Sequence, residues 1–289
     1  MPGIVICLTA MLSVQLGNAA SIGVFDEVGP FGASWLRLCW ASVFLLAWVR
    51  PRLRTIDRRH LRAALMLGVA TGVMSAAYAG SLDRLPLGTA SALEFLGPLG
   101  VALAMRGAGR AGALLPAVAA IGVLGLTEPW RGTTDGVGVA LALVAAGGWA
   151  GYIVLTQRVG ALLPGLTGLA LSFPVAAIVT APLGLIDAGG GLAPEPVARM
   201  AGIALLLPLL PFTLELIALR RIPTAVFGIL MCLEPAVGLV VGLIALDQQP
   251  RLLGLGGLVL VVLAGVVAQR ERKPSNSVNQ MIEVSVSTS

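Results

Sequence analysis

Along the chain, long apolar runs alternate with short polar connections, and the runs recur at the length a bilayer demands of a helix. Ala63 to Leu82, Gly136 to Gln157 and Leu252 to Gln269 contain no Asp, Glu, Lys or Arg, and Val159 to Ile186 is likewise uncharged. A membrane-spanning helix needs about 20 predominantly apolar residues. The pattern predicts ten helices, at 4–24, 31–49, 63–81, 86–105, 111–128, 136–157, 164–186, 197–218, 224–246 and 252–269. The small residues Asn18-Ala19-Ala20 give the first run a signal-peptide flavour. It lacks a positively charged start, however, and nine apolar runs follow, so a retained helix is expected. From Pro274 to Ser289 the chain is polar and serine-bearing, too poor in apolar residues to offset the entropy of ordering. Residues 271–289 therefore read as a flexible cytoplasmic tail.

Composition narrows the class. Of 289 residues, 57% are hydrophobic and 11% charged, against about 25% charged in a soluble domain. The mean hydropathy is +0.94. A soluble enzyme is excluded, and no nucleophile–base set points to an enzyme of any kind. Cys7, Cys39 and Cys232 lie inside apolar runs, and the single histidine, His60, sits among arginines. Neither set has the spacing of metal ligands, so no metal or cofactor is expected. The pI of 9.9 comes without the aromatic–basic groove pattern of a nucleic-acid binder, and no nucleic-acid partner is expected.

The basic residues set the orientation. With the N-terminus in the cytoplasm, inside connections hold Arg50, Arg52, Arg54, Arg58, Arg59, Arg62, Arg106, Arg110, Arg158, Arg220, Arg221, Arg270, Arg272 and Lys273. Outside connections hold Arg84, Arg131, Arg199 and Arg251, and Arg37 falls within a helix. Fourteen against four follows the positive-inside bias and puts both termini in the cytoplasm of a multi-pass protein.

Two stretches 137 residues apart are alike. Leu82-Asp83-Arg84-Leu85-Pro86 resembles Leu219-Arg220-Arg221-Ile222-Pro223, and twelve residues after each proline comes another, in Leu96-Gly97-Pro98 and Leu233-Glu234-Pro235. The offset divides the chain into two five-helix repeats, 1–130 and 131–270. Because five is odd, the second half inserts upside down, the inverted-repeat plan of many secondary transporters.

A few polar residues fall where the membrane penalises them. Glu94 lies eight residues into the fourth predicted helix and Glu234 ten into the ninth, about 12 and 15 Å from their ends at 1.5 Å per residue. An ionised carboxylate facing lipid there is costly, so each is protonated, paired or turned toward a polar cavity. Arg37, early in the second helix, either snorkels outward or neutralises a carboxylate in such a cavity. Glu215, near the end of the eighth helix, pairs with Arg220 or takes part in gating. Gln15, Asn18, Trp149, Tyr152 and Thr213 offer hydrogen bonds to a small polar ligand, or serve helix contacts alone. Pro208, Pro211 and Pro235 remove backbone donors, so a kink beside Glu234 would couple bending to ligand contact.

Four stretches together resemble one family. They are Ala92-Leu93-Glu94-Phe95-Leu96-Gly97-Pro98-Leu99, Gly148-Trp149-Ala150-Gly151-Tyr152-Ile153, Pro211-Phe212-Thr213-Leu214-Glu215-Leu216-Ile217-Ala218-Leu219, and Arg221-Ile222-Pro223-Thr224 continuing through Phe227-Gly228 to Leu233-Glu234-Pro235. Over residues 5 to 270 the chain resembles the EamA branch of the drug/metabolite transporter superfamily. The resemblance implies a ten-helix secondary transporter of the bacterial plasma membrane, exporting small amino acids such as threonine or homoserine against protons. Glu94, Trp149, Tyr152, Glu215 and Glu234 fall on positions of the family pattern, and Arg37 on its basic residue early in the second helix. Asp247 departs from a Gly-Glu pair usual there, which leaves the substrate open. A drug exporter on the same scaffold would need a larger, more aromatic cavity, for which seven Phe, five Trp and two Tyr are few. A non-transporting structural protein and a homodimer both stay open at this stage.

Overall fold

The computed structural model describes residues 2–51, 57–104, 110–128, 135–163, 166–189, 192–219, 221–222 and 224–270. The tail expected at 271–289 lies outside the described residues, as do Arg52, Arg54, Arg106, Arg131, Arg220, Pro223, Arg272 and Lys273. The described residues form fourteen α-helices and no strand. They are α1 (Pro2–Ile22), α2 (Phe25–Val28), α3 (Pro30–Val49), α4 (Arg58–Leu82), α5 (Leu87–Glu94), α6 (Leu96–Ala104), α7 (Arg110–Thr127), α8 (Gly136–Leu162), α9 (Thr167–Asp187), α10 (Pro194–Ala204), α11 (Leu210–Leu219), α12 (Thr224–Met231), α13 (Glu234–Ala245) and α14 (Leu252–Arg270). A π turn, Leu205–Leu209, joins α10 to α11.

Eight stretches of the described residues are long and apolar enough to cross a membrane, from Gly3–Ile22 to Val226–Ala245. Leu114–Thr127 and Leu252–Ala268 are shorter apolar helices. Large side chains such as Val5, Trp48, Ile178, Ile186 and Ile244 are exposed, as a lipid-facing surface requires. The protein is an all-helical, multi-pass membrane protein.

Three of the expected helices are broken, and proline sets where. Pro98 has no N–H for the carbonyl of Glu94, and α5 ends on Glu94. Pro208 leaves the carbonyl of Ala204 without its donor, and α10 ends on Ala204. Pro235 does the same to Met231, the last residue of α12. Each break thus falls at the carbonyl four residues ahead of a proline. Other backbone groups around two of the breaks are satisfied by side chain or by tightened turns, as a bilayer demands. Ser13 Oγ donates to the carbonyl of Leu206 at 2.7 Å, and the N–H groups of Cys232 and Leu233 shorten their reach to Ile229 and Leu230, at 3.2 and 2.8 Å. Pro116, Pro174 and Pro182 sit within continuous helices, so a missing donor alone does not force a break.

The two halves of the sequence interleave. α4 lies against α8 and α9, α3 against α9, α7 against α14, α5 against α13, and α1 against α11 and α13. At the end of the bundle where α4 and α9 finish and α8 and α14 begin, polar contacts join the halves. Arg84 Nη1 meets Asp135 Oδ2 at 2.9 Å, and Arg199 pairs with Glu27. Arg251 approaches Glu128 at 4.0 Å. The Leu87 N–H donates to Gln248 Oε1 at 2.9 Å, and the Phe31 N–H to Asp187 Oδ2 at 2.8 Å. Every ion pair among the described residues lies at this rim.

Candidate functional site

Within the bundle the helices line a partly open cavity of about 380 Å³, within the usual range for a small-molecule site. It forms where the broken helices meet the continuous ones. α1 supplies Asn18, α3 Arg37, and α4 Thr71, Ser75 and Tyr78. The break at the end of α5 supplies Glu94 and Phe95, and α8 supplies Trp149 and Tyr152. Pro208, Phe212 and Glu215 come from the α10–α11 region, and Phe227 and Glu234 from α12 and α13.

Arg37 is buried, and its Nη1 reaches Asn18 Oδ1 at 3.4 Å. Its guanidinium turns into the cavity, so the outward-snorkelling alternative does not hold. Glu234 is 8% exposed, and its Oε2 has no hydrogen-bond partner. Glu94 and Glu215 share the cavity, and no ion pair joins them or Glu234 to Arg37. One guanidinium thus stands among three carboxyl groups. In a low-dielectric setting such an excess calls for protons or for a cationic group on a ligand.

Six of the residues singled out from sequence as substrate- or proton-binding, or as gating, come together with Arg37 on one surface: Asn18, Glu94, Trp149, Tyr152, Glu215 and Glu234. Glu215, read from sequence as near the end of the eighth helix in an ion pair with Arg220 or a gating role, lines the cavity, beyond the bend at Leu205–Leu209. Its expected partner Arg220 lies outside the described residues. Gln15 is off the wall, fully buried and in contact with Ser91. Pro235 is also off the wall, directly behind Glu234. Thr213 returns its hydroxyl to the carbonyl of Leu209 at 3.0 Å and does not line the main cavity.

Sequence reasoning missed Thr71, Ser75 and Tyr78, whose i, i+4, i+7 spacing on an uncharged helix was the available signal. It also missed the concentration of aromatic rings. Seven of the fourteen aromatic residues line this one cavity. Several touch one another, Phe95 edge-on to Trp149 at 6.5 Å and Phe173 edge-on to Phe212 at 6.1 Å between ring centres.

A multi-pass helical bundle around a charged internal cavity defines the class of membrane transporters. Residues 136–268 match the EamA-like transporter family. The threonine/homoserine exporter RhtA of Escherichia coli strain K12 is 36% identical over 275 residues, covering 93% of this chain and 92% of that protein. The protein of the same name from Salmonella typhimurium strain LT2 is 36% identical over 269 residues, covering 92% and 88%. The chain belongs to the EamA-like transporter family.

Proposed function

We propose that the protein is a secondary active exporter of small amino acids such as threonine or homoserine, working by proton antiport and alternating access in a bacterial plasma membrane. The observation that carries the reading is the cavity's charge, three carboxyl groups around a single guanidinium. Arg37 suits the carboxylate of a zwitterion. Glu94 and Glu234 suit its ammonium, or the protons that exchange with it. A carboxyl group that alternates between a dry site and water takes up and gives back a proton. With the cavity open inward, ionised glutamates hold the ammonium; open outward, they take protons and release it. Glu215 and Pro235 act at the bends that change the facing. Relatives named for threonine and homoserine, similar over nine-tenths of the chain, support the substrate class.

Ten spans in two inverted repeats, 1–130 and 131–270, are supported by the packing. Helices at equivalent places in the halves lie on each other, as α3 on α9 and α7 on α14, and the fourth and ninth spans meet through α5 on α13. Other contacts recur in exchanged form. α4 on α8 is answered by α11 on α1, α5 on α8 by α12 on α1, and α6 on α8 by α13 on α1. The arginine bias supports cytoplasmic termini, which makes the ion-paired rim the outer one.

The clustering of aromatic rings favours a second reading, export of a hydrophobic cation. Uptake of labelled threonine or homoserine into inverted vesicles, with and without a pH gradient, separates the two. Amino-acid flux that follows the gradient, and loses that dependence in the Glu94→Gln, Glu234→Gln double variant, is expected. Flux of a lipophilic cation alone would favour the second reading. Flux indifferent to the gradient and to the double variant would remove the proton role, and no substrate-dependent flux would leave a structural membrane protein.

A further inference from the structure

α4 presents Thr71, Ser75 and Tyr78 to the cavity, one helical face about 10 Å long at 1.5 Å per residue. Their hydroxyls differ in how far they are already committed. Thr71 Oγ1 donates to the carbonyl of Leu67 at 2.8 Å. The Tyr78 hydroxyl and Ser91 Oγ are 2.7 Å apart, and Ser91 in turn donates to Gln15 Oε1 at 3.4 Å. With that donor spent, Tyr78 is the donor to Ser91. Gly238 closes this chain from the other half, where a Cβ would come within 2.9 Å of Ser91 Oγ.

Ser75 makes none of these hydrogen bonds. A serine inside a helix commonly returns its hydroxyl to a carbonyl three or four residues back, as Ser21, Ser42 and Ser81 do. Ser75 is 8% exposed and lines the cavity. Its donor and acceptor are therefore both spare, at a place where the cavity's contents are the group to use them.

We propose that Ser75 is a specificity-determining residue, recognising a hydroxyl on the transported amino acid. The inference rests on the amino-acid reading above and adds to it. Arg37 and the glutamates address the two charges that all amino acids share, so they cannot tell one from another. A neutral hydroxyl on the side chain of a β- or γ-hydroxy amino acid is what Ser75 can answer, donating and accepting at once. A cargo lacking it leaves Ser75 unmatched, which is how a polar site rejects an analogue of the same shape.

One compound tests this. Replacing the hydroxyl of either threonine or homoserine by hydrogen gives 2-aminobutyrate. Fluxes of all three are measured in inverted vesicles of the wild type, Ser75→Ala and Ser75→Thr. A net hydrogen bond of ordinary strength corresponds to roughly a fivefold preference. The wild type is expected to favour the hydroxylated pair by about that factor, Ser75→Ala to collapse the ratio toward one, and Ser75→Thr to keep it. Equal loss of all three fluxes in Ser75→Ala, with the ratio intact, would mean a structural role and overturn the inference. An unchanged ratio at full flux would overturn it too, while leaving amino-acid export standing. A wild type that moves none of the three would overturn both.

Discussion

Gly97 shows how little space separates the cavity wall from its neighbour. A Cβ built there would lie 2.1 Å from the carbonyl oxygen of Ala146, a backbone atom of α8 that cannot swing aside. Gly97→Ala is expected to cost about 1–3 kcal/mol as overpacking. Gly100, three residues on in α6, meets nothing within 4 Å, so Gly100→Ala is expected to hold stability or gain up to about 1 kcal/mol through helix propensity. Unfolding midpoints of the two variants in one detergent check the pair, and equal midpoints would remove the tight α6–α8 approach. Charged residues at this scale were legible in the sequence. Arg37, Glu94 and Glu234 stood out because a bilayer makes a buried charge exceptional. The hydroxyls of α4 were not, since a helix can satisfy a Ser or Thr by itself and only the fold tells which one it leaves spare. Composition counts aromatic rings but cannot say that half of them face one cavity.

The apolar runs were readable as elements because membrane thickness fixes their length. What the linear pattern could not give was the interruption of those runs. Counting along a straight helix put Glu215 near a helix end, whereas the region bends at Leu205–Leu209 and Glu215 lines the cavity. The short α2, and the extension of α4 back to Arg58, depend on contacts and caps. Asp57 Oδ1, for instance, accepts the Arg58 N–H at 2.6 Å. The breaks beside Glu94 and Glu234 are the elements to test. Pro235→Ala returns a donor to the carbonyl of Met231 and removes a residue that disfavours continuous helix by about 3 kcal/mol. The variant is expected to insert and fold normally yet export at least tenfold more slowly, measured as flux per folded protein. Wild-type flux would show that the break plays no part in changing the cavity's facing.

Over the whole molecule, the halves are bound at one rim by ion pairs, two of which, Arg84–Asp135 and Arg199–Glu27, join half-exposed side chains. Each such pair is worth about 0.2–1 kcal/mol, weak enough to part in each cycle of the proposed alternating access. Arg84→Glu sets like charges against each other across Arg84–Asp135, and Asp135→Arg on top of it restores opposite charge. Flux is expected to fall in the single variant and recover in the double one; failure to recover would dismiss the pair as a gate. The Gly138 N–H, the Arg84 guanidinium and the Val137 N–H hold the Asp135 carboxyl below its ordinary value of 3.8. A lowered pKa means that the contact persists above that value and is lost only as pH falls through the lower one. Between pH 5 and 8, on this argument, Asp135→Asn is expected to change flux by the same factor throughout, so this rim contact adds no pH dependence in that window.

On the proposed orientation, the placement of those charges also makes the outside medium part of the barrier. Ions in solution screen exposed pairs over a distance of about 8–10 Å at physiological strength, but they reach the buried Arg37 and Glu234 far less. In that proposed cycle a saltier exterior is expected to loosen the closed rim without altering the affinity of the cavity, so the rate of turnover and the grip on cargo answer to different surroundings.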